Sequence, residues 1–235
     1  MKRKAFLLGM TICGACCGWA QTSTAMPTIN FDPTPTASQK VAAPEQLTAT
    51  TAFINAPVAI FPTIDKMTRL DMLDYFNSGS TKPSKNLFSG ECRIESVSEE
   101  QLTVATSEAS KAEMTLLKSG NDTIIMVITT LKTPVNDSSI KFYTSAWKEL
   151  KNSLFAEPKL DGWMLAEGKA RKADLENVVP FILAEYSYDP SSSTLTLTNN
   201  LDSYLPTDDS SWVMPLLAKT LTYRWNGKKM VTAKN

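Results

Sequence analysis

The sequence predicts an α+β domain: a twisted, mainly antiparallel sheet of about nine strands with two or three helices on one face. Three observations carry that expectation. Between residues 92 and 150 short β-type runs, alternating or continuously apolar, are separated by polar joints, with no helical period. Ser119-Gly120-Asn121-Asp122, Pro190-Ser191-Ser192 and Asn226-Gly227 carry hairpin chemistry, because Gly, Asn and Ser tolerate the backbone angles of tight turns. Helical spacing is sustained only at 65–77.

The first strands are expected in CRIESV, LTVATSEA, AEMTLLKSG, DTIIMVITTLK and SSIKFYTSAW, which follow one another from Cys92 to Trp147. Leu102, Val104 and Thr106 alternate with Thr103, Ala105 and Ser107, as in a strand with one wet face. Ile124 to Ile128 is apolar without a break, which places that strand centrally with both faces covered. FILAEYSYD and STLTLTNN then flank the Pro190 turn, and TLTYRW and KKMVTA flank Asn226-Gly227. In the helix at 65–77, Met67, Leu70, Leu73 and Phe76 recur every third residue, and Gly79 supplies the stop. Asp65 lies four residues before Arg69, the order of a surface ion pair worth about 0.2–0.5 kcal/mol. Shorter helical turns are expected at 50–55, ended by Pro57, at 174–177 before Pro180, and at 208–219, where Pro215 interrupts.

The ends of the chain bear on its compartment. Residues 1–20 read as a cleavable export signal: Lys2, Arg3 and Lys4, then an uncharged run to Trp19, with small Gly18 and Ala20 before the cleavage point. The run falls short of the roughly 20 apolar residues of a membrane span, so no transmembrane segment is expected after cleavage. Lipid attachment at Cys16 or Cys17 is disfavoured because Cys13 stands where such a signal wants a Leu-like residue. Residues 21–44, rich in Pro, Thr, Ser and Ala, form a flexible leader, and 45–235 form a single domain. The expected home is the periplasm, the outer membrane or the exterior.

Cleavage removes three bases and no acids from a balance of 24 against 24, leaving a surface near neutrality. No basic cluster accompanies the aromatics, so nucleic acid is not an expected partner. Cys92 alone survives cleavage and is expected to be a buried thiol.

The chain contains no His, which excludes Ser-His-Asp and Cys-His chemistry and imidazole metal sites. No cofactor and no metal site is predicted. Ser-x-x-Lys occurs at Ser138/Lys141 and Ser145/Lys148, but both copies lie in or beside a strand, where the two side chains do not share a face. Asp71 and Asp74 share a face of the helix that carries Arg69, and these three form one candidate binding group. Asn199, Asn200, Asp202, Asp208 and Asp209 are rich in oxygen but lack the order of a calcium loop. The second candidate group is aromatic: Tyr186 and Tyr188 share one strand face, and Tyr223 and Trp225 share another.

The runs RLDMLDYFNSG at 69–79, TSEASKAEMTLLKSGNDTIIMVITT at 106–130 and SSIKFYTSAWKEL at 138–150 resemble the domain-of-unknown-function family 3256, secreted proteins of Bacteroidales, over roughly residues 50–225. The resemblance implies a cell-envelope home and carries no catalytic residue. Asp122-Thr123-Ile124 resembles the site at which secreted proteins of that group receive O-linked glycans, which makes Thr123 a candidate modification site. The expected function is that of a non-catalytic binding or interaction module for an envelope protein or glycan. The rivals are a hydrolase-type enzyme using carboxylates or a Ser-Lys pair, and a structural or assembly factor of the envelope.

Overall fold

The computed structural model describes residues 46–151 and 154–233, so the predicted signal and leader lie outside the described residues. Helix α1 (Ala49–Asn55) starts at a reciprocal cap: Thr51 N–H donates to Thr48 Oγ1 and Thr48 N–H donates to Thr51 Oγ1. Ala56, which precedes Pro57, is extended and ends it. Helix α2 (Lys66–Asn77) starts where the Asp65 carboxylate accepts Thr68 N–H at 2.8 Å, and stops at Gly79 with φ +70°.

The inward face of α2 differs from the expected one. Arg69, Met72 and Leu73 are buried, Leu70 is half-buried, and Met67 is exposed. A repeat of three drifts about 60° per step around a helix, so Met67, Leu70, Leu73 and Phe76 spiral off any single face.

Strands β1 (Ser84–Lys85), β2 (Glu91–Val97), β3 (Gln101–Ser107), β4 (Ser110–Ser119), β5 (Asp122–Leu131) and β6 (Asp137–Thr144) form an antiparallel meander in chain order. The β4–β5 register, Ser119 opposite Asp122, leaves a two-residue turn in which Gly120 has φ +61°. A second sheet contains β7 (Ala184–Asp189), β8 (Thr194–Asn199), β9 (Thr220–Trp225) and β10 (Met230–Thr232), in the order β10-β9-β8-β7. Among the described residues, the single sheet of about nine strands expected from the sequence is two sheets with ten strands between them.

The helices are also more numerous and lie on more than one side. Besides α1 and α2, the described residues include α3 (Leu160–Trp163), α4 (Ala166–Ala170), α5 (Lys172–Val178) and α6 (Thr207–Val213), with 3-10 turns at Leu201–Ser203 and Met214–Leu216. Helices α3 and α4 are too short to print a full apolar period in the sequence.

Strand β5 divides two cores. Ile124, Met126 and Ile128 pack with Leu117, Phe142 and the inner faces of β7, β8 and β9, and Trp163, Leu175 and Val213 bring α3, α5 and α6 into the same cluster. Ile125 and Val127 point the other way and pack with Met114, Phe53, Met72 and Leu73 beneath α1 and α2. The unbroken apolar run of β5 thus reports two covered faces.

The second sheet is docked through its edge. Strand β7 would carry unpaired N–H groups on its outer side, and side chains of the first sheet take them. Ala184 N–H donates to Asp137 Oδ1 at 3.2 Å, Tyr186 N–H to Ser138 Oγ at 3.0 Å, and Tyr188 N–H to Glu113 Oε1 at 3.0 Å. Glu185 adds an ion pair with Lys111 at 2.7 Å and accepts from Asn136 Nδ2 at 2.8 Å. These bonds fix the register of one sheet against the other.

Two of these carboxyls respond to pH with opposite sign. Burial pushes Glu113 above its ordinary value, with Tyr188 N–H and Lys111 opposing. Its protonated form therefore favours the folded state, a contribution present below the unfolded pKa and lost as pH rises through the folded one. Burial also pushes Glu185 upward, but Lys111 and Asn136 outweigh it, so its contribution is present at neutral pH and lost in acid. Glu113→Gln keeps the acceptor for Tyr188 and removes the buried charge. Urea melts should show this variant as at least as stable as the wild type at pH 8, with the advantage gone below pH 4.5, the ordinary Glu value. A variant weaker than wild type at pH 8 would mean that the charge itself holds the sheets together.

Candidate functional site

The segment that follows β6 is held by backbone bonds to the stretch that leads into β9. Ala218 N–H donates to Trp163 O at 2.7 Å and Leu165 N–H donates to Leu216 O at 2.9 Å. A Cβ on Gly168 would lie 2.4 Å from Leu216 O, so only Gly allows α4 to approach this closely. This packing fixes α3 over the start of β6 and β7 and encloses a half-open cleft of about 830 Å³.

Polar groups converge on the cleft. Tyr186, whose ring is buried, donates its hydroxyl to the Glu157 carboxylate. Burial, and then Glu157, push the Tyr186 pKa far up, so the phenol stays protonated and acts as a donor at neutral pH. Phe155 meets the Tyr186 ring edge-on at 6.2 Å and fixes its position. Asp137 lies in the wall and uses Oδ1 for Ala184 N–H. Asp161 and Glu176 also line it, both engaged by Lys172 at 2.9 and 3.5 Å. Trp163 forms part of the wall at 1% exposure, and its indole N–H has no hydrogen-bond partner among the described residues. A buried donor without an acceptor costs about 1–3 kcal/mol. Phe181 lines the cleft at 49% exposure and leans on Tyr204, itself 46% exposed, with ring centroids 5.9 Å apart.

Of the candidate binding residues singled out from the sequence, Tyr186 alone lines this cleft, beside Ser138 of the first Ser-x-x-Lys pair. Arg69 is buried at 2% exposure and donates from Nη1 to Phe53 O and Ala56 O, while Asp71 and Asp74 lie exposed on the outside of α2. The expected Asp65–Arg69 surface pair is replaced by two helix caps, because Asp65 is taken by Thr68 and Arg69 turns inward to the open carbonyls of α1. Tyr188 is buried in the core between the sheets, and Trp225 is buried with its indole N–H donating to Lys118 O at 2.8 Å. Tyr223 is half-buried against Phe155, centroids 5.0 Å apart. Thr123 enters β5 opposite Lys118 and is half-buried. Cys92 is buried, and burial pushes its thiol pKa up.

Among the described residues, the Ser-x-x-Lys pairs and the Asp/Asn cluster read from the sequence are not brought together as reacting sets. Ser138 Oγ is committed to Thr130 and Tyr186 N–H, and Lys141 pairs with Glu149 on the open side of β6. Ser145 and Lys148 are both exposed in the turn after β6. Asp202 is held by Lys219 at 3.0 Å, and Asp208 and Asp209 sit in the first turn of α6. Among the described residues no three His, Cys, Asp or Glu side chains are grouped to hold a metal ion.

A smaller cavity of about 440 Å³ lies between the end of α2 and β2, with Lys82, Ser84 and Arg93 in its wall. Among the described residues no helix is long and apolar enough to cross a membrane.

Fold and cleft define an α+β domain of two antiparallel sheets with an acidic, aromatic-edged opening at one end of their interface. The chain belongs to the family described as "Protein of unknown function (DUF3256)", whose profile matches residues 41–230. That range extends the resemblance read from residues 69–79, 106–130 and 138–150. The chain is also similar to the structure of a domain of an uncharacterized protein from Porphyromonas gingivalis W83, with 24% identity, 79% of this chain and 98% of that chain covered, and a TM-score of 0.67. At that identity the likeness shows the fold. No curated protein matches the chain.

Proposed function

We propose that the protein is exported to the cell envelope and acts there as a non-catalytic binding module whose ligand occupies the cleft. The observation that carries this reading is the cleft itself, about 830 Å³, on which Asp137, Glu157 and the buried Tyr186 converge beside the exposed Phe181 ring. The cleft offers carboxylate acceptors and exposed aromatic surface, and its buried phenol is committed to Glu157 and held protonated. Soaking crystals with small polar fragments tests the site. Fragments should gather against Phe181 and Glu157, and a distribution confined to the cavity beside Lys82 and Arg93 would move the site elsewhere.

Export rests on the basic, apolar and small-residue pattern of residues 1–20. Protein purified from the native host should begin at Gln21, and mass spectrometry that finds Met1 retained would contradict export by this signal.

A protein-docking role has one observation in its favour. Phe88, 79% exposed, stands at the tip of the 86–90 loop, which Asn86 braces by accepting Phe88 N–H and Gly90 N–H and donating to Thr106 O. A rigid loop holding an aromatic in water suits an anchor for a second protein.

A further inference from the structure

We infer that the outer edge of β2 is a docking site for an extended segment of another protein, one that carries an acidic side chain beside an apolar one. The site is separate from the cleft and does not depend on it. Strand β2 runs from Glu91 to Val97, yet β1 pairs only with Glu91 and Cys92. In that register Lys82 would stand opposite Ile94, but its N–H turns to Ser80 Oγ at 3.2 Å. Asn86 N–H donates to Gly90 O at 2.9 Å, so by the alternation of an antiparallel pair Cys92, and after it Ile94, aim their backbone N–H and C=O at the β1 side. At the other end Ser98 N–H donates to Gln101 O at 2.7 Å, which turns Ser96 toward β3 and Val97 outward. The register shift between Ile94 and Ser96 makes Ile94 and Val97 successive outward positions. Beyond Cys92 no strand of the described residues covers that side, and Glu95 and Ser96 are exposed. A row of outward N–H and C=O groups is matched in step by the backbone of an extended polypeptide.

The cavity beside this edge supplies the side-chain preference. Its volume is about 440 Å³, with Arg93, Ile94 and Glu95 on the strand side and Met72 and Phe76 on the α2 side. Phe76 is 37% exposed, so the wall offers ring surface to an incoming apolar side chain. Lys82 and Arg93 line the cavity against one acid, Glu95, and this excess of positive charge favours a carboxylate on the partner. The bulge decides between a foreign segment and a second copy. It bends β2, so two such edges do not meet flat, whereas a short segment without a sheet of its own follows the bend.

The test pans a phage-displayed library of random peptides against the chain from Gln21 onward and titrates a fluorescent synthetic copy of the most enriched peptide by anisotropy. Enriched peptides should pair a large apolar residue with Asp or Glu. Methylating every second backbone nitrogen of that peptide should abolish binding in one phase and spare it in the other, because an added strand turns alternate N–H groups toward its neighbour. Arg93→Glu should weaken binding about tenfold, the size of one lost charge-assisted hydrogen bond, and Phe76→Ala by a similar factor. Arg93 is exposed and Phe76 partly so, and both variants should keep the wild-type circular dichroism spectrum. Enrichment of no peptide, or binding that survives methylation in both phases, would overturn strand addition. Binding indifferent to Arg93→Glu and Phe76→Ala would place the peptide elsewhere and also overturn it. A dimer in sedimentation that Arg93→Glu dissolves would make a second copy the occupant, against the assignment to a foreign segment.

Discussion

Replacing Arg69 with Met should destabilise the domain by about 3–6 kcal/mol, from the loss of two charge-assisted hydrogen bonds of about 1.5–3 kcal/mol each. The guanidinium reaches Phe53 O at 2.8 Å and Ala56 O at 2.7 Å, carbonyls that the end of α1 leaves open, and its Nε reaches Asp65 O at 3.3 Å. Phe53 lies beneath it at 5.9 Å. Burial lowers the Arg69 pKa from its ordinary value, with Asp65 opposing, yet a guanidinium remains charged, so its loss strands buried carbonyls with no donor. Met matches most of the stem's bulk and isolates the polar part of the effect. On the same helix, Asp71→Asn and Asp74→Asn should each change stability by less than about 0.5 kcal/mol, as exposed substitutions do. Urea denaturation of the three variants makes the comparison. An Arg69→Met loss below about 1 kcal/mol would show that water or a shifted helix satisfies those carbonyls.

Truncating neighbouring residues of β5 should cost about equally on its two sides. Ile125→Ala opens a cavity beneath α1 and α2, and Met126→Ala opens one between the sheets, each at about 2–5 kcal/mol. A sheet with one wet face would give one large and one small value. The same urea melts would then place the small value on the side that is not packed.

Much of the fold was legible because the signals are local. Gly120 and Gly227 adopt positive φ in the turns their neighbours indicate, and the unbroken Ile124–Ile128 run marks burial on both faces. The split into two sheets was hidden, since nothing in β7 announces that its outer N–H groups are taken by Asp137, Ser138 and Glu113, residues 47 to 75 positions away. Arg69 misled because charge and i,i+4 spacing are also the marks of a solvated face; its true partners are backbone carbonyls that no side-chain pattern can signal. The cleft was illegible for a related reason. Asp137, Glu157, Trp163, Phe181 and Tyr186 come from five segments, of which one is an irregular stretch after β6 and another the four-residue helix α3. Trp163 was visible as an aromatic, but its missing hydrogen-bond partner is a property of the packed structure alone.

The most direct measurement follows the tryptophan indole N–H resonances in the NMR spectrum of the chain from Gln21 onward, which contains Trp147, Trp163, Trp212 and Trp225, during titration with the polar fragment that binds most tightly. The Trp163 signal should shift saturably as the cleft beside its ring is filled, while that of Trp225, bonded to Lys118 O and outside the cleft lining, stays in place. A stationary Trp163 signal, with changes gathered instead around Tyr75 and Arg93, would show that the cleft between the sheets is not where this protein binds.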